Sequence, residues 1–165
     1  MRFQVGKGMD EYLSKLGNLE MTAPVAIGQA IYHGAEVVAD AIERNIEALP
    51  VDDSQHSEQL KGIRSLQKEG LKGRPNGKGG GFGISKADTT NGYRHVKLGF
   101  HGNNKLITKK YPHGQPNAMI ARTIEGGNSF TRKHPFVGPA VRASRDQAEA
   151  TMAKVIDAEI NKAMN

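Results

Sequence analysis

The stretch TAPVAIGQAIYHGAEVVADAIERNIEAL, residues 22–49, decides the fold class. Ile27, Ile31, Val38, Ile42, Ile46 and Leu49 recur on one stripe, with Ala35 filling the gap between them. Glu36, Asp40, Glu43, Arg44 and Glu47 take the other side. Such a period belongs to an amphipathic helix that turns one face to a core. Thr22 stands where a cap is needed, and Pro24 falls in the first turn, where its missing N–H costs nothing. Pro50 ends the pattern, so the stretch predicts a helix of about seven turns. Upstream, Tyr12, Leu13, Leu16 and Leu19 predict a short separate helix over residues 8–19, weakened by Gly17.

Downstream, residues 50–57 are polar and turn-forming, a linker. Residues 57–69 predict a helix capped by Ser57, with Leu60, Ile63 and Leu66 on one side and Lys61, Arg64 and Lys68 on the other. From residue 70 to 83 the chain is dense in glycine around Pro75 and Asn76, which leaves it little to bury and predicts a mobile loop. Residues 82–86 and 93–100 read as the two strands of a β-hairpin, with Asp88, Asn91 and Gly92 supplying the turn. A second loop, residues 101–116, is basic and holds Asn103, Asn104, Gly114 and two prolines, and mobility is predicted there too. Residues 117–124 predict a short helix ended by Glu125-Gly126-Gly127-Asn128. Pro139 opens the last helix at its first position, with Val141, Ala148, Met152, Val155, Ile156 and Ile160 as its apolar stripe. The order predicts an α+β fold in which the two long helices pack on one small antiparallel sheet.

The chain has 165 residues, the length of a single domain spanning 1–165. With no cysteine, disulfides, thiol nucleophiles and thiolate metal sites are excluded. No run approaches the ~20 apolar residues of a membrane span. Arg2, Lys7, Asp10, Glu11 and Lys15 crowd the start without an apolar run, so the expectation is a chain kept in the cytoplasm where it is made. Charge is unevenly spread: residues 1–59 carry four Lys/Arg against ten Asp/Glu, whereas residues 60–115 carry twelve against two. That asymmetry has two readings, a footprint for a polyanion or the complementary faces of a self-assembling protein.

No catalytic pattern stands out. The run Gly77-Lys78-Gly79-Gly80-Gly81 lacks both the phosphate-loop and the dinucleotide spacing, and it leads into a strand rather than a helix. The histidines have no metal-ligand spacing, and Asp52-Asp53 lies in a polar linker. The sequence predicts no enzyme, no cofactor and no metal. Nucleic-acid binding through residues 60–115 is the rival reading, because Phe82, Tyr93, Phe100 and Tyr111 interleave with the basic residues as stacking platforms would.

Two segments carry a resemblance. Residues 117–127, with Ala121, Glu125 and Gly126, are followed by His134-Pro135-Phe136-Val137-Gly138-Pro139-Ala140. In this order and spacing the chain resembles the tail-completion, or head–tail joining, proteins of long-tailed bacteriophages, whose Ala-x-x-x-Glu-Gly patch precedes a Pro-Phe-x-x-Pro-Ala turn into the final helix. The likeness extends over residues 20–162 and includes Gly70-Leu71, Phe82-Gly83-Ile84 and the strand around Val96-Lys97-Leu98-Gly99-Phe100. It implies a virion protein of the phage neck, assembled in the host cytoplasm as a homo-oligomeric ring of six copies. Its neighbours would be the head-closure (connector) protein and the tail terminator protein, with non-specific contact to packaged DNA and none to a membrane. Lys72, Arg74, Lys105, Lys109, Lys110 and Glu125 are the expected assembly contacts. Pro135 and Pro139 stiffen the approach to the last helix, Phe136 brings an apolar ring to bury, and Glu125 precedes glycines at a helix end, facing a partner group.

Overall fold

A computed structural model describes residues 7–51, 57–71 and 81–164. Its elements are helix α1 (Lys7–Glu47), helix α2 (Ser57–Ser65), strands β1 (Gly81–Ile84), β2 (Asp88–Thr90), β3 (Tyr93–His95) and β4 (Leu98–His101), and helices α3 (Asn117–Gly126) and α4 (Val137–Met164). The fold is α+β, as the element order predicts.

The break expected before Thr22 does not occur, and α1 is one helix of 41 residues, about 60 Å long. Thr22 is not its cap: the hydroxyl donates to the Asn18 and Leu19 carbonyls, at 2.9 and 3.3 Å. Pro24 lies in the helix interior. There it forgoes one backbone bond, and the Arg94 guanidinium donates to its carbonyl from the hairpin. At the other end the Gln67 amide donates to the carbonyls of Ile46, Glu47 and Leu49, at 3.1–3.2 Å, closing groups that a helix end leaves open. Gln67 belongs to a five-residue π-turn, Leu66–Gly70, in which the α-helix expected to reach residue 69 finishes.

The hairpin is longer than two strands and a loop. β1 pairs with β4 and β2 with β3, all antiparallel. Between the two ladders residues 85–87 face only residues 96 and 97, so the register shifts by one. Ser85 fills the irregularity, its hydroxyl accepting the Lys97 N–H at 2.8 Å. Asp88 is strand, not turn. The reversal is made by Asn91 and Gly92 alone, both at positive φ (51° and 81°), the signature of a two-residue hairpin turn.

The core joins the second half of α1 (Ala39, Ile42, Ile46) and Leu49 just beyond it to Ile63 and Leu66, to Phe82, to Ile120 and Ile124, and to Phe136 and Ala140. The two long helices pack mainly on each other, α4 running along α1, while the hairpin lies on α1 through β1 and β3. α4 meets the sheet at its start, where Phe136 packs edge-on against Phe100 at 6.3 Å between ring centres. Small residues line the helix pair: Ala26 and Ala30 of α1 and Ala140, Ser144 and Ala148 of α4 are buried. A Cβ at Gly34 would stand 2.6 Å from Met152 Cγ, so glycine lets the helices approach. The large residues expected there lie elsewhere: Ile27, Val141 and Ile160 are exposed. α4 also starts two residues earlier than Pro139, at Val137.

Candidate functional site

Glu125 is the last side chain of α3 before its terminal glycines, and it reaches across to the start of α4. Its Oε2 accepts the N–H groups of Phe136 (2.6 Å) and Val137 (2.9 Å), and its Oε1 accepts that of Gly138 (3.2 Å). A helix start leaves such donors unpaired, so the carboxylate caps α4 from another element. Asn45 of α1 donates to the Phe136 carbonyl at 3.0 Å, and the His134 N–H closes the Ile124 carbonyl at 2.8 Å. Phe136 is fully buried, as are Ala121 and Ala140, whereas Gly126 and Pro135 are exposed and Pro139 is half-buried. The residues that carry the resemblance therefore meet in one junction, where α1, α3, the hairpin and α4 lock together.

This corrects the role expected of Glu125. Its partner group is the backbone of its own chain, and both carboxylate oxygens are already engaged. Burial pushes its pKa up, but the three N–H groups and nearby Lys133 outweigh that, and it lies below the usual glutamate range. A carboxyl held low in the folded state stabilises above its unfolded pKa and loses that contribution as pH falls through the folded value. Replacing Glu125 with alanine is expected to cost about 1–2 kcal/mol at neutral pH, the range for losing a helix cap. Glu125→Gln keeps one acceptor and should cost less. Urea denaturation at pH 7 and pH 3 checks both, since the gap between wild type and Glu125→Gln should shrink at the lower pH.

The other expected contacts lie on the loop between β4 and α3, except that Lys72 and Arg74 fall outside the described residues. Lys105, Lys109 and Lys110 are exposed, and the Lys110 ammonium lies 5.6 Å from the centre of the Tyr111 ring. Mobility was expected for want of anchors, yet this loop has them. Asn104 is buried, and its Oδ1 accepts the N–H groups of Leu106 and Gln115 at 2.8 and 3.2 Å. Asn117 ties the far end back, its side chain donating to the His101 carbonyl at 3.0 Å. Gly114, at φ 93°, lets the strands of the loop close: a Cβ there would stand 1.8 Å from the Asn104 carbonyl oxygen. The lysines are thus held on a built frame. Composition gave no sign of it, because the signal is two asparagines whose side chains replace backbone partners.

Between this loop, α2 and α3 runs a groove of about 420 Å³, lined by Lys61, Leu106, Ile107, Met119, Thr123 and Thr131 among others. Ile107 of this lining is largely exposed, as is Phe130, the residue before Thr131. Among the described residues no group of three or more histidine and acidic side chains is placed to hold a metal ion. In the same residues no helix is long and apolar enough to cross a membrane. Compared with protein-family models, with curated proteins and with solved structures, the chain matches none of them.

Proposed function

We propose that the chain is a structural subunit of a phage neck, which completes the tail and joins it to the DNA-filled head as a member of a ring. The ring would sit between the head-closure protein and the tail terminator, six copies by resemblance, and would need neither catalysis nor a cofactor. The supporting observation is that Ala121, Glu125, Phe136 and Ala140, spread over 20 residues of sequence, build a single junction at the foot of α4. A motif whose spacing serves packing is what an assembly scaffold needs. The charge pattern also suits a ring. In a heterologous contact one face meets a different face of the next copy, and opposed like charges are costly there.

The test uses a phage that encodes this chain. Without the chain, filled heads and finished tails should accumulate unjoined, and supplying it should yield particles. Replacing Lys72, Arg74, Lys105, Lys109 and Lys110 together with glutamine is expected to lower the titre at least about tenfold, since charged contacts across an interface are worth more than the ~1.4 kcal/mol this represents. Binding of the purified chain to DNA should be weak and lost near physiological salt, as non-specific phosphate contacts are. Tight binding to one DNA sequence at that salt would favour the nucleic-acid reading instead.

A further inference from the structure

The stripe that forms the core in the second half of α1 does not stop there. Counting back from Ile42 and Val38 at helical spacing it runs through Ile31, Ile27, Glu20, Leu16, Leu13 and Met9. The chain's own hairpin and the π-turn Leu66–Gly70 cover the later half. In the earlier half Met9 is 54%, Leu13 55%, Leu16 39% and Ile27 43% exposed. Residues 9–27 span about 27 Å of helix, so these side chains form an exposed apolar row that holds one acid, Glu20, and takes the chain's own Arg94 at the Pro24 carbonyl. Isolated surface apolar residues are ordinary, but several on one face of a helix mark a contact surface.

The row's chemistry says what covers it. Its occupant must offer large apolar side chains and a positive charge for Glu20. A second copy laid arm against arm offers the wrong charge, because Glu20 would be buried in an apolar seam beside more of the same acidic helix, which holds three Lys/Arg against seven Asp/Glu over Lys7–Glu47. The loop between β4 and α3 offers the right one, since residues 101–116 hold three Lys/Arg and no Asp/Glu. Ile107 of this loop, 72% exposed, lines the groove together with Thr131, whose neighbour Phe130 is 80% exposed. Both apolar groups are held ready. Ile107 rides on the loop framed by Asn104. Phe130 sits in a tight turn where the Asn128 side chain accepts the N–H groups of Phe130 and Thr131 at 2.8 and 2.7 Å. Groups fixed before contact lose little entropy on binding and make effective anchors.

We propose that the bare row Met9, Leu13, Leu16 and Ile27 of one copy seats on the Ile107 and Phe130 face of a second copy. The contact is heterologous, so each copy keeps one free row and one free face, and the chain of contacts can continue. As the joint between ring subunits this rests on the neck reading, but the contact itself is tested on the purified chain alone.

Wild type should self-associate with rising concentration in sedimentation, and added salt should weaken the association. Two double variants divide the contact: Leu16→Asp with Ile27→Asp removes the row, and Ile107→Asp with Phe130→Asp removes the face. Each alone should lose association by about thirtyfold or more, the effect of removing hot-spot anchors, with only a small loss of stability because all four positions are exposed. Mixed together they should form a one-to-one dimer that grows no further, since one good row and one good face remain. An independent check uses the absence of cysteine: Leu13→Cys and Ile107→Cys chains, mixed and oxidised, should cross-link to each other in preference to themselves. Self-association of the face variant at wild-type strength would overturn the proposal, because the row would then be pairing with itself. So would a mixture that stays monomeric, a cross-link confined to Leu13→Cys with itself, or a wild type still monomeric at several hundred micromolar. Failure of the neck reading shows separately, as a phage that joins heads to tails without this chain.

Discussion

Phe136→Ala is expected to lower the free energy of unfolding by about 3–5 kcal/mol, the range for truncating a buried aromatic ring. The ring is 1% exposed. It stands edge-on to Phe100, which in turn lies 4.9 Å from Phe82 between ring centres, so its removal leaves a cavity where the hairpin, α1 and the start of α4 meet. The backbone of the same residue is pinned by Glu125 at its N–H and by Asn45 at its carbonyl, which limits how far α4 can shift to refill the space. That rigidity places the cost at the upper end, because a cavity that cannot collapse costs more. Phe136→Leu, closer in volume, should cost less than half as much. Phe130→Ala is the control, an exposed ring six residues earlier, and should change stability by no more than about 0.5 kcal/mol. Urea denaturation of the three variants decides the matter. If Phe136→Ala and Phe130→Ala melt alike, Phe136 is not the keystone of the junction.

How far the fold was legible depends on where each interaction closes. The helix stripe at Val38, Ile42, Ile46 and Leu49, the Asn91-Gly92 turn and the buried ring of Phe136 all rest on local periodicity or local chemistry, and the sequence displays both. Pro24 misleads, because a residue that suits a first turn stands here inside a longer helix. One lost backbone bond is a small cost in a helix packed along most of its length. Nor does local pattern show Glu125 and Gln67, which cap helices other than their own, or Asn104 and Asn117, which stitch a loop that composition alone makes look loose. These side-chain bonds join positions from two to 21 residues apart, and no local period reports them. A partial signal existed for Glu125. A carboxylate 11 residues before the buried Phe136 of a Pro-Phe-x-x-Pro turn is placed to find an uncapped helix start. The stripe on α1 was legible as apolar, but periodicity cannot say whether the chain itself or another copy covers it.

Ile42 and Ile27 lie on that one stripe, 15 residues apart, and the same substitution should separate them. Ile42 is 2% exposed within the core cluster. Among the residues packed there Ala39, Ile46, Ile63, Leu66 and Phe82 offer no positive group to an introduced carboxylate. Ile42→Asp therefore strands a charge in an apolar interior and leaves a space beside it, an expected loss of about 4 kcal/mol or more. For a domain whose total stability is on the order of 5–15 kcal/mol, that brings the chain close to unfolding. Aspartate at position 27 stays in water in the isolated chain, so Ile27→Asp should cost no more than about 0.5 kcal/mol plus the weaker helix propensity of aspartate, a few tenths more. Its effect should appear in association instead, where it removes one anchor of the row. Thermal melting at low concentration and sedimentation at high concentration read the two losses apart. Equal destabilisation at both positions would mean that the early half of α1 is covered by its own chain, and the surface offered to a second copy would not exist.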